Sequence, residues 1–148
     1  MLNERSEMFK HIGECDCGET RVAVNLPKSL EKYTPRKCDC DFCTDRNLSY
    51  LSHPDGSLEI ESKHTLNIQK QGSNQASFLI CSSCGTTVAV VCQYSGKLKG
   101  TINAILLDEF HKLQEPVVVS PKLLEPKEKL SRWESVWLNV KVNGNYYM

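Results

Sequence analysis

Neither sign of charge prevails in this chain: 18 lysines and arginines meet 18 aspartates and glutamates, with no long run of either. Domains that grip nucleic acid through its phosphates carry a clear basic excess, so that class of partner is set aside. Long apolar runs are missing too. No segment approaches the roughly 18 apolar residues of a membrane span, and the opening Met1 to Lys10 lacks the apolar centre of a signal peptide. The expectation is a soluble, cytoplasmic protein with neither a nucleic-acid nor a membrane partner. Aromatic residues make up only 7% of the 148 positions, against 40% hydrophobic residues in all. That points to one domain with a modest core. No period of roughly 20 to 50 residues recurs, which excludes a solenoid.

What the chain has is cysteine, eight of them. In a reducing compartment such a number points to metal rather than disulfides. Seven fall in three clusters: Cys15-Asp16-Cys17-Gly18, then Cys38-Asp39-Cys40-Asp41-Phe42-Cys43, then Cys81-Ser82-Ser83-Cys84-Gly85. Both outer pairs are followed directly by glycine, which accepts the left-handed backbone of a turn that aims amides at thiolate sulfur. Together Cys15, Cys17, Cys81 and Cys84 make a four-thiolate set of the kind that holds a structural zinc ion. A thioredoxin-like redox pair at Cys81 and Cys84 lacks the βαβ surroundings that it needs.

The triplet Cys38, Cys40 and Cys43 is too dense for a core and reads as ligands of a second zinc, giving two per chain. Its fourth ligand could be water, a substrate thiol, Cys92, or one of His11, His53, His64 and His111. Cys92 stands in an apolar run, where a free cysteine usually acts as a small hydrophobe, and no histidine has metal-ligand spacing. An open position is therefore expected. Three thiolates give their zinc much negative charge, so it activates water poorly and suits a soft sulfur ligand. A thiol bound there ionises and can attack a carbonyl carbon. Asp39, Asp41 and Tyr50 are candidate proton carriers by nearness in sequence alone.

Hydrophobic alternation predicts mostly strands. The first spans residues 20–26, with Val22, Val24 and Leu26 on one face, and Pro27 ends it. A loop with one turn near Leu30 leads to the triplet. Short strands are expected at 58–61, 66–69, 76–81, 86–92 and 101–107, with turns at His53-Pro54-Asp55-Gly56 and Gln71-Gly72-Ser73-Asn74. Residues 115–129 hold Pro116, Pro121 and Pro126, too close together for a regular element. A short helix begins at Pro126 and runs through Trp133, and 135–142 alternates again. In domain terms, 1–12 reads as an N-terminal extension and 13–110 as the zinc-binding β domain. The remainder, 111–148, reads as a proline-rich segment and C-terminal strand packed on the same domain.

The order Cys15-x-Cys17-Gly18, Cys38-x-Cys40-x-x-Cys43, Cys81-x-x-Cys84-Gly85-Thr86 resembles the glutathione-dependent formaldehyde-activating enzyme family, which includes the centromere protein V group. The likeness runs from about Gly13 to Leu107. It implies a mainly β fold, the β-tent, of short antiparallel strands pinned by zinc and with little helix. By position it makes Cys15, Cys17, Cys81 and Cys84 structural ligands and Cys38, Cys40 and Cys43 catalytic ones. The implied activity is that of a carbon–sulfur lyase joining glutathione to formaldehyde. Asp39 stands where the family commonly has histidine, so Arg36, Lys37 or Arg46 would have to offset acidic charge before an anionic thiol. The alternative is a non-catalytic zinc module for protein interaction or for sensing thiol or zinc. Homo-oligomerisation is left open by the sequence.

Overall fold

Alternation builds the first strand pair. In β2 (Thr20–Leu26) the side chains of Thr20, Val22, Val24 and Leu26 are buried, while Arg21, Ala23 and Asn25 face outward. Each fully buried valine or leucine contributes about 1.5–3 kcal/mol relative to leaving it in water. Strand β1 (Phe9–Glu14) lies antiparallel along β2, from Phe9 opposite Leu26 to Glu14 opposite Arg21. The computed structural model describes residues 8–39, 43–44, 48–70, 76–94, 96–119 and 125–143. Cys40, Asp41, Arg46, Pro121, the turn expected at Gln71 to Asn74 and the segment before Met8 lie outside them.

The protein is mainly β, with one α-helix among the described residues. The further strands are β3 (Arg36–Cys38), β4 (Tyr50–Leu51), β5 (Ser57–Ser62), β6 (Asn67–Lys70), β7 (Ser77–Ile80), β8 (Thr87–Tyr94), β9 (Lys97–Asn103), β10 (Val117–Val119) and β11 (Leu138–Asn143); the helix is α1 (Pro126–Val136). Along one path the order is β1-β2-β5-β11-β9-β4-β3-β10, and β6-β7-β8 joins it through β9. Strand β9 is the branch point. Its one edge pairs with β8, while the other is divided between β11 at Lys99 and Gly100 and β4 at Ile102 and Asn103.

Two cores result, with β7 and β8 between them. The larger holds Val22, Val24, Leu26, Leu58, Ile60, Leu79, Val91 and Leu138 together with Cys15 and Cys81, and Cys84 packs against it. The second gathers Cys43, Leu48, Phe78, Val90, Cys92 and Trp137, with Cys38, Tyr50, Tyr94 and Trp133 packed against it. Helix α1 covers this second core. It starts at Pro126 behind a capping box between Glu125 and Glu128, the arrangement that satisfies amides at a helix start. The Trp133 and Trp137 rings stack 4.7 Å apart at 8°, and the Tyr94 hydroxyl donates to the Leu130 carbonyl at 2.7 Å.

Several elements differ from the sequence-based expectation. The helix continues to Val136, so the last strand starts at Leu138 rather than at 135. Between Pro116 and Pro121 the chain forms β10, because an edge strand needs backbone partners on one side only and tolerates proline at its entry. The strand expected at 101–107 instead spans Lys97–Asn103. It ends where the Asn103 side chain accepts from the Ile105 amide and donates to the Thr87 carbonyl, turning the chain into a 3-10 turn at Ala104–Leu106.

Candidate metal centre

Two turns of the same design carry the outer cysteine pairs. After β1 the Cys15 amide donates to the Thr20 carbonyl and the Gly18 amide to the Cys15 carbonyl, both at 3.0 Å. After β7 the Cys81 amide donates to the Thr86 carbonyl and the Gly85 amide to the Cys81 carbonyl, both at 2.9 Å. Gly18 has φ 78° and Gly85 has φ 77°, a left-handed backbone that a side chain would strain. Each turn thus folds its own cysteine pair toward one point.

The two points coincide. The ligand atoms of Cys15, Cys17, Cys81 and Cys84 all lie within 4.8 Å of one another, positioned to bind a metal ion. Cys17 Sγ is 3.6 Å from Cys15 Sγ and 3.6 Å from Cys81 Sγ. Sulfurs around a tetrahedral zinc at about 2.3 Å stand about 3.8 Å apart, so the spacing is consistent with zinc. Cys15 and Cys81 are buried and Cys17 is exposed.

Charge at the four sulfurs is unevenly shared. Burial raises the Cys84 thiol, but the Thr86 hydroxyl at 3.0 Å, the Thr86 amide and Cys17 outweigh it and bring Cys84 down to about 6. Burial likewise opposes ionisation of Cys81, and the amides of Cys84 and Ser83 more than offset it. The Glu19 amide favours a thiolate at Cys17, yet lost solvent and the sulfurs of Cys15, Cys81 and Cys84 push Cys17 up to about 12. Without a cation, four sulfurs this close keep a proton among them; a dication lets all of them ionise. Beside them the His64 ring meets Glu19 at 2.7 Å, and Glu19 is held below its usual value by a hydrogen bond to Ser83 and by His64. Nothing in the sequence links Glu19 to His64, which lie on separate turns.

The triplet falls in a different place. Cys38 ends β3, and the Asp39 amide after it donates to the Val119 carbonyl of β10 at 3.0 Å. Cys43 is buried, and its sulfur lies 3.2 Å from the Tyr50 hydroxyl oxygen. Cys43 and Cys92 are buried members of the second core, and Cys38 packs against it. Among the described residues the outer four cysteines are the one group of three or more ligand atoms drawn together, so Cys38, Cys43 and Cys92 do not close in the same way. Burial raises the Cys92 thiol, partly offset by a hydrogen bond with Tyr94. The histidines are engaged elsewhere: His53 accepts from the Asp55 amide at 3.0 Å, His111 meets Phe110 edge-on, and His11 lies near Glu109 and Glu31.

The chain is similar to known proteins in sequence pattern and in fold. The sequence pattern of the glutathione-dependent formaldehyde-activating enzyme matches residues 10–120, a span that includes all three cysteine clusters. No curated protein matches the chain. A crystal structure of a Rhodobacter sphaeroides protein is similar, with a TM-score of 0.53 at 21% sequence identity, covering 72% of this chain and 98% of that one. At that identity the likeness speaks for the fold alone. With its family pattern spanning well over half of its length, the chain belongs to the glutathione-dependent formaldehyde-activating enzyme family.

Proposed function

We infer that the protein is a zinc-dependent carbon–sulfur lyase acting on the adduct of a glutathione-like thiol with a small aldehyde. In this reading Cys15, Cys17, Cys81 and Cys84 hold a structural zinc, and Cys38, Cys40 and Cys43 hold a second one at the active site. A zinc ion bound by the triplet supplies a Lewis-acidic position suited to a soft thiolate. Arg36, exposed, and Lys37, half-buried, lead directly into Cys38 and bring positive charge to meet an anionic thiol. In the forward direction the thiol sulfur bonds to the carbonyl carbon, the carbonyl π pair moves to oxygen, and the proton lost by the thiol ends on that oxygen. The substrate is a small molecule, and a reducing compartment such as the cytoplasm keeps the thiols available.

The observation that carries the reading is separation. Cys43 lies in, and Cys38 against, a core that contains no member of the four-cysteine set, so the chain has thiols left over for a task other than pinning its two turns. Zinc content per chain, measured before and after millimolar glutathione and desalting, tests it together with turnover of glutathione and formaldehyde. Two zinc ions, one made labile by the thiol, and turnover that Cys38→Ser abolishes in a folded chain are expected. One zinc ion and no turnover would leave a non-catalytic zinc module.

A further inference from the structure

Cys43 is buried in the second core, and the hydroxyl oxygen of Tyr50 stands 3.2 Å from its sulfur. The phenol is held there by backbone on both sides. Tyr50 pairs with Arg36 of β3, two residues before Cys38, and with Asn103 of the branch strand β9. A single short strand therefore fixes Tyr50 relative to Cys38, while its phenol meets Cys43. A ligating cysteine is a thiolate with no hydrogen to give, so in a metal-loaded site the phenol is the donor of this contact.

We propose that Tyr50 is a positioning residue for the triplet centre: its O–H donates to Cys43 Sγ, fixing that ligand's direction and withdrawing charge from it. The consequence follows from the donor set. Three thiolates saturate a zinc ion with charge and weaken its hold on a further ligand. A hydrogen bond to one of them takes part of that charge back, so the open position keeps more attraction for an incoming thiol. Tyr50 thereby acts through Cys43 and need not touch the substrate. The proposal rests on the reading that the triplet binds a metal ion.

Cobalt replaces zinc in the test, because its thiolate-to-metal charge-transfer absorption reports the charge on each sulfur. The native full-length chain is expected to take up two cobalt ions. Tyr50→Phe keeps the ring and removes the donor; it is expected to shift the absorption gained with the second ion to longer wavelength. It should also weaken that ion's binding about 10- to 100-fold, the usual effect of removing a ligand's hydrogen-bond partner. The absorption of the first ion, at the four-cysteine set, stays as it was. A chain grown with 3-fluorotyrosine, whose phenol is a stronger donor, is expected to shift the second absorption the opposite way, and this measurement stands if Tyr50→Phe does not fold. Two cobalt ions with an absorption indifferent to both changes overturn the role of Tyr50 and leave the triplet centre intact. A single cobalt ion in the native chain overturns the triplet centre, and the role of Tyr50 with it.

Discussion

A methyl group added to Gly100 would stand 2.6 Å from the carbonyl oxygen of Val90. Val91 pairs with Gly100 on one edge and Leu138 pairs with it on the other, so the missing side chain lets three strands meet. The added carbon would also press on Val91 and Val140. Gly100→Ala is expected to cost about 1–3 kcal/mol, the usual range for overfilling a packed site. Urea unfolding at fixed zinc measures it. An unchanged midpoint would show that the branch point has room to spare.

The four-cysteine centre ties the turn after β1 to the turn after β7, 64 positions apart between Cys17 and Cys81. Chelation is expected to lower the melting temperature, and Cys81→Ser to lower it even in excess zinc. With free zinc at 1,000 times Kd the bound ion contributes about 4 kcal/mol. Melting curves with and without chelator test this, and identical curves would remove the ion from the account of stability.

Filling that centre should release protons. At neutral pH Cys84, near 6, is already mainly thiolate, whereas Cys17, near 12, holds its proton. Zinc added to the metal-free chain must displace at least the Cys17 proton, so its affinity falls as pH falls, more steeply below about 6 where Cys84 protonates as well. Calorimetry in two buffers of different ionisation enthalpy counts the protons. A count of zero would take Cys17 out of the ligand set.

His11 makes a separate pH dependence. Burial lowers its pKa from 6.5, although Glu109 and Glu31 pull the other way. Its Nε2 is buried with no hydrogen-bond partner among the described residues. Above 6.5 the ring is neutral whether the chain is folded or not, and it adds no slope. As pH falls below that value the unfolded chain takes up the proton first, so stability declines until the folded ring protonates too. His11→Asn is expected to flatten this part of the profile. Denaturant midpoints between about pH 7.5 and 5 decide it, a window set by the histidine range; parallel curves for the two chains would assign the decline to other groups.

Much of this was legible from the sequence, and the exceptions have physical reasons. Val22, Val24 and Leu26 announce β2 because one of its faces is fully buried, and Pro126 announces the start of α1 because a fixed φ suits a first helical turn. Glycine after each outer cysteine pair announces the left-handed turns. Strands β3 and β10 have three residues each, too few for any period to emerge, and they exist because they pair with each other and β3 also with β4. Strand β1 hides because it buries only Gly13 fully and His11 in part, while its apolar Phe9 and Ile12 are both exposed. Gly13 is there because the chain passes against the Leu106 backbone, where a Cβ has no space. The partnerships of Cys43 with Tyr50 and of Glu19 with His64 depend on how separate loops come together.

Strand β11 occupies the middle of the sheet, parallel to β5 and antiparallel to β9. Asn139 donates its amide to the Gly56 carbonyl at 3.1 Å, across 83 positions of chain. During synthesis both outer cysteine turns and the whole of β5 therefore leave the ribosome well before the strand that covers β5 exists. In that interval β5 offers an uncovered strand edge, the kind of edge that recruits other chains. A metal ion taken up early by Cys15, Cys17, Cys81 and Cys84 would hold the growing chain in register while it waits for its central strand.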